Sequence, residues 1–134
     1  MTKTLPYRKG SVLITSGPCK HLHVICNDPV HHPALGCYTV LAVNITSVNS
    51  ALEYDASCVL QAGEHPFITH ESYVYYKKAD LFSADRMEQA INDGAYQVDH
   101  DFTDATFVKI LKGFEISPEI PYKIQRFYEK HCKS

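Results

Sequence analysis

Short apolar runs broken by glycine, proline and small polar residues fill the first half of the chain. Val12-Leu13-Ile14, preceded by Gly10 and followed by Ser16-Gly17-Pro18, predicts a strand over 11–15 that ends in a turn. In His21-Leu22-His23-Val24-Ile25-Cys26 the pattern alternates. A strand over 20–28 then places Leu22, Val24 and Cys26 on one face and displays His21 and His23 on the other, outward or toward a cleft. Residues 28–36, with Pro29, His31, His32, Pro33 and Gly36, break both regular structures and read as a mobile connector. Val40-Leu41-Ala42-Val43 is continuous enough for a strand over 38–45 covered on both sides, and its polar end, Asn44-Ile45-Thr46-Ser47, suits a turn capped by hydroxyls.

A fourth short strand is expected over 57–60. It leads into the most chemically loaded stretch of the chain, Gly63 to Lys78, which holds His65, His70, Tyr73, Tyr75, Tyr76, Lys77 and Lys78. Pro66 keeps the beginning of this stretch out of a central ladder, so a loop carrying His65 and His70 should feed a strand over 72–77. Period two puts Tyr73, Tyr75 and Lys77 on one face of it and Ser72, Val74 and Tyr76 on the other. Five clustered strands with Gly and Pro between them predict a small antiparallel barrel or sandwich.

The last third changes period. Ser83 is placed to cap a helix over 84–91 that Asn92-Asp93-Gly94 closes, and Thr103 or Asp104 to cap a second whose stripe is Phe107, Ile110 and Leu111 and which Gly113 stops. Ser117-Pro118-Glu119 has the form of a third helix start, with Ile120, Ile124, Phe127 and Tyr128 on its apolar side. The expectation is one domain over 1–134, with a barrel at about 10–82 and a helical region at about 83–131.

Composition narrows the functional classes. A formal net charge of -2 argues against indiscriminate attraction to a polyanion, so any nucleic acid must be met by a local site. Five cysteines without a CxxC pair read as free thiols in a reducing cytoplasm, and no apolar leader or membrane-length run is present in the sequence. Cys19, His21, His23 and Cys26 are close enough to suggest zinc, but on a strand Cys26 faces away from the two histidines. An open metal site from the two histidines and His65 or His70 is the weaker alternative, and the reading is of no metal and no cofactor.

The same imidazoles suit proton transfer near neutral pH. His21 or His23, approached by His65 or His70, would supply a base and an acid. Lys20, Lys77 or Lys78 would offset charge on a phosphate, and Tyr73 or Tyr75 would stack a base.

The order Gly10-Ser11-Val12-Leu13-Ile14, His21-Leu22-His23-Val24-Ile25-Cys26, Val40-Leu41-Ala42-Val43-Asn44-Ile45-Thr46-Ser47 and Ser72-Tyr73-Val74-Tyr75-Tyr76 resembles the MazF/PemK family of toxin endoribonucleases over about residues 10 to 82. The resemblance implies an SH3-like barrel with helices, a homodimer, metal-independent cleavage of single-stranded RNA and silencing by an antitoxin protein. Thr46-Ser47 matches the Thr-Ser pair that ends the family's third strand, and His21 lies where some members place a loop histidine. The family's arginine-proline before strand two is replaced by Lys20-His21-Leu22-His23, and its later arginine and aspartate by the surroundings of Tyr75 and Lys77. Two classes follow: a toxin-like ribonuclease whose histidines do the acid-base work, and a non-catalytic barrel that binds a protein or nucleic acid.

Overall fold

The structure, a computed structural model, describes residues 6–133. Its organising element is the eleven-residue strand β4, Cys37–Ser47. Every residue from Thr39 to Val43 is buried, as the unbroken apolar run requires. The strands are β1 Ser11–Ser16, β2 Cys19–Ile25, β3 Val30–His32, β4, β5 Val59–Leu60, β6 Ser72–Val74, β7 Asp80–Ser83 and β8 Tyr96–Asp99, with helices α1 Ala84–Asn92, α2 Asp104–Ile116 and α3 Tyr122–His131. One edge of β4 takes β2, in the register Leu22↔Ile45 to Ile25↔Ala42, and then β3. The other edge takes β6 at Ile45–Ser47 and β7 at Thr39–Ala42.

All these pairings are antiparallel, and the path β5-β6-β4-β2-β1-β8 stays open at both ends. The protein is therefore α+β, with an eight-stranded antiparallel sheet that does not close into a barrel.

Alternation sorts the sheet into two faces. Leu13, Leu22, Val24, Leu41, Val43, Ile45 and Val74 point to a core completed by Phe107, Ile110 and Phe114 of α2 and Ile124, Phe127 and Tyr128 of α3. Val12, Ile25, Val40 and Ala42 point the other way, under Ala84 and Met87 of α1. With only nine residues, α1 covers one end of this second face and leaves the other end open.

Several expectations change. The strand over 72–77 ends at Val74, and Tyr76–Lys78 forms a 3-10 turn that lets the chain step from β6 to β7 along the same edge of β4. The strand over 57–60 shrinks to Val59–Leu60. The connector over 28–36 contains β3, which pairs with the extended start of β4, and β7 and β8 were not anticipated. Gly113 does not stop α2. It is buried inside the helix because Tyr76 lies against it: a Cβ built there would fall 1.7 Å from the Tyr76 hydroxyl, which donates to the Ile110 carbonyl at 2.6 Å. Ser117 caps the end of α2 rather than the start of α3, which begins five residues later, at Tyr122 behind Pro121. The Ser83 and Thr103 caps form, each hydroxyl accepting from a backbone N–H three residues on.

Candidate functional site

The open end of the second sheet face holds most of the chemistry that alternation placed there. His21 and His23 project from β2, Asn44 and Thr46 from β4 beside them, and Tyr73 stands opposite Thr46. Ile14 is paired with His21 and extends the surface onto β1. A groove of about 430 Å3 runs over His21, His23, Asn44 and Thr46 and is walled by Tyr75 and Lys78.

Within it His23 is the constrained member. Its Nδ1 lies 3.0 Å from the His21 carbonyl oxygen, an acceptor, so Nδ1 carries the proton and the neutral ring keeps its lone pair on Nε2. Phe82 meets the ring edge-on at 6.2 Å. Burial lowers the His23 pKa; the bond to the His21 carbonyl opposes that shift and the neighbouring His21 ring adds to it. A neutral imidazole with a free nitrogen is a proton acceptor by construction. The Asn44 Oδ1 atom is buried beneath the groove surface, with no hydrogen-bond partner among the described residues.

The remaining predicted residues are distributed elsewhere. His65 is on the opposite side of the sheet, 2% exposed, with Nε2 2.7 Å from the His100 carbonyl and 3.1 Å from the Ser11 hydroxyl. Its Nδ1 accepts the Phe67 N–H at 3.0 Å, so the ring is bonded at both nitrogens and lies against Phe102, centroids 4.5 Å apart and tilted by 36°. It ties the loop over 61–71 to the start of β1. His70 is exposed in that loop, two residues before β6. Lys20 is on the face of β2 opposite the histidines and donates to Gln97 at 3.0 Å. Ser47 likewise points away from Thr46 and borders a separate hollow with Pro66, Phe67 and Thr69.

Tyr73, Tyr75 and Lys77 do share a face, and they line a second groove with Tyr54. Tyr75 is the wall between the two grooves. Sequence reasoning passed over Asn44 as a contributor to the surface. The signal was there, since Asn44 is two residues from Thr46 on the same strand face.

Cys26 faces the buried core with its thiol toward the Val24 carbonyl, away from His21 and His23. No cluster of three His, Cys, Asp or Glu side chains able to hold a metal occurs among the described residues, and no helix among them is long and apolar enough to cross a membrane. No family model, curated protein or solved structure matches this chain.

Proposed function

We propose that the protein is a toxin-like, metal-independent endoribonuclease that cleaves single-stranded RNA in the groove over His21 and His23, with the homodimeric state expected from its resemblance to the MazF/PemK family and an open sheet in place of that family's SH3-like barrel. The observation that supports the reading is the convergence, on a part of the sheet face that α1 leaves open, of two imidazoles, a hydroxyl, a phenol and an ammonium group. His65, bonded at both ring nitrogens, and Lys20 and Ser47, on the other face, are not part of this machinery.

His23 Nε2 takes the proton of a ribose 2'-OH, and the 2'-oxygen attacks the adjacent phosphorus. The bond from phosphorus to the 5'-oxygen breaks as His21 delivers a proton to that oxygen, giving a 2',3'-cyclic phosphate and a 5'-hydroxyl. The Lys78 ammonium offsets the negative charge growing on the phosphoryl oxygens, Thr46 donates to one of them, and Tyr75 stacks a neighbouring base.

The test is cleavage of a fluorescent single-stranded RNA in excess chelator. Cyclic-phosphate ends are expected, and a single 2'-deoxy substitution at the cut site should abolish cutting there. Intact RNA after incubation with the parent protein would reject the proposal. Expression should arrest growth unless an antitoxin protein is supplied, in keeping with a cytoplasmic site of action.

A second reading, a non-catalytic module that binds a protein, draws on the neighbouring groove. There three carboxylates gather around tyrosines, a surface suited to a cation rather than to phosphate.

A further inference from the structure

The second groove, about 570 Å3, is built from two kinds of group that both favour positive charge. Its aromatic side is a run of three rings: Tyr54 and Tyr73 lie 4.9 Å apart at 31°, and Tyr73 and Tyr75 lie 5.4 Å apart at 51°. Around them stand Glu53, Asp55 and Glu119, against the single ammonium of Lys77. Asp55 is fixed in place: it accepts from the Ser57 N–H at 3.0 Å and from the hydroxyls of Ser57 and Ser117 at 2.5 Å each. Burial works against its charge, but the hydrogen bonds from Ser117 and Ser57 outweigh it and hold the carboxyl below its usual range.

Glu53 and Glu119 are exposed, and among the described residues neither has an ion-pair partner. Faces of aromatic rings carry negative charge density, and carboxylates beside them deepen the same potential.

We propose that this groove seats an arginine or lysine side chain from a basic, extended segment of a protein partner. The ring faces receive the cation and Glu53 and Glu119 pair with it, while Asp55 supplies a fixed negative charge behind them. The volume falls within the range of about 300–1,000 Å3 typical of sites that enclose a drug-sized ligand, so it admits a side chain together with part of its backbone. A nucleic acid is the wrong occupant, since its phosphates would meet three carboxylates. The proposal stands independently of RNA cleavage in the histidine groove.

The test is fluorescence polarisation with a short fluorescein-labelled arginine-rich peptide, compared with the same peptide carrying glutamate in place of arginine. Saturable binding of the arginine peptide alone is expected. Tyr54→Leu should weaken it about three- to fivefold, the loss of one exposed cation–π contact, whereas Tyr54→Phe should keep the ring and the affinity. Paired Glu53→Gln and Glu119→Gln substitutions should weaken it at least as much. Absence of saturable binding overturns the proposal, and so does a Tyr54→Leu variant that binds as well as the parent. Amide shift mapping on the parent protein guards against a misfolded variant: perturbation should concentrate at Tyr54, Tyr73 and Glu119, and perturbation confined elsewhere equally overturns the assignment.

Discussion

The two faces of the sheet are made from alternate residues of the same strands, yet they meet different fates. The face toward α2 and α3 is sealed by large side chains, and its polar groups are bonded within the protein: Tyr76 to Ile110, His65 to His100, Ser11 and Phe67. The face toward α1 is sealed only where Met87 and Ala84 reach, and beyond them lie His21, His23, Asn44, Thr46, Tyr73 and Tyr75. Helix length makes the difference. Two helices of thirteen and ten residues cover one face, while one of nine covers only part of the other. His65 on the first face is a structural tie, whereas His21 and His23 on the second line an open groove.

The largest effect that separates the faces is catalytic. His23→Ala should lower RNA cleavage by about 10² to 10⁴, the usual contribution of a general base, while a thermal melt changes little by comparison. His65→Ala should do the reverse. It strands the Phe67 N–H, takes one partner each from the Ser11 hydroxyl and the His100 carbonyl, which stay bonded to each other, and removes a buried ring packed on Phe102, so a loss of about 2–4 kcal/mol is expected by denaturant titration, with cleavage per folded molecule retained. Equal loss of specific activity in both variants would erase the distinction between the faces.

Gly113→Ala probes the sealed face more finely. Alanine in a helix interior gains about 1 kcal/mol over glycine, whereas overpacking a core costs about 1–3 kcal/mol or more. Here the new methyl meets Tyr76, which is wholly buried and held by its bond to Ile110, so it cannot swing aside. Steric cost should win and the midpoint of unfolding should fall. A stabilised variant would mean that Tyr76 repacks.

How far the sequence foretold this depends on whether the signal was local. Period two was enough to set His21 and His23 against Leu22 and Val24, and to set Tyr73, Tyr75 and Lys77 against Ser72, Val74 and Tyr76, although the strand carrying the last residues gives way to a 3-10 turn. The helix caps at Ser83 and Thr103 were equally local. What escaped depended on distant partners. Nothing near His65 announces that Ser11, 54 residues earlier, and the His100 carbonyl, 35 residues later, will bind both it and its loop. Gly113 reads as a helix stop until Tyr76, from another element, is seen lying against it. Strands β3 and β7 have three and four residues and exist because long β4 offers them an edge, a tertiary cause that no short window contains.

The smallest expected effect is a pH dependence of stability that arises on the open face. Burial depresses the His23 pKa in the folded protein below the value of about 6.5 that it takes when unfolded. Well above pH 6.5 the ring is neutral in both states and contributes no slope. As pH falls through that value the unfolded chain takes up a proton that the folded protein refuses, so stability declines, and it stops declining once the folded ring is protonated too. His131 is shifted in the same direction, by burial first and then by Lys130 and His32, and adds a parallel slope. Thermal melts between about pH 7.5 and 5.5 stay above the range in which Asp55 and Asp99, whose pKa values are depressed, begin to contribute. Over that window the parent should lose stability on acidification, and His23→Gln and His131→Gln should each remove part of the slope. The depressed pKa also keeps the proposed base neutral to a lower pH than a free histidine allows, so cleavage should persist at pH values where His23 would otherwise be charged. An unchanged slope in His23→Gln would show that the groove is wet enough to solvate an imidazolium, and the argument for His23 as the base would then rest on its hydrogen bond to the His21 carbonyl alone.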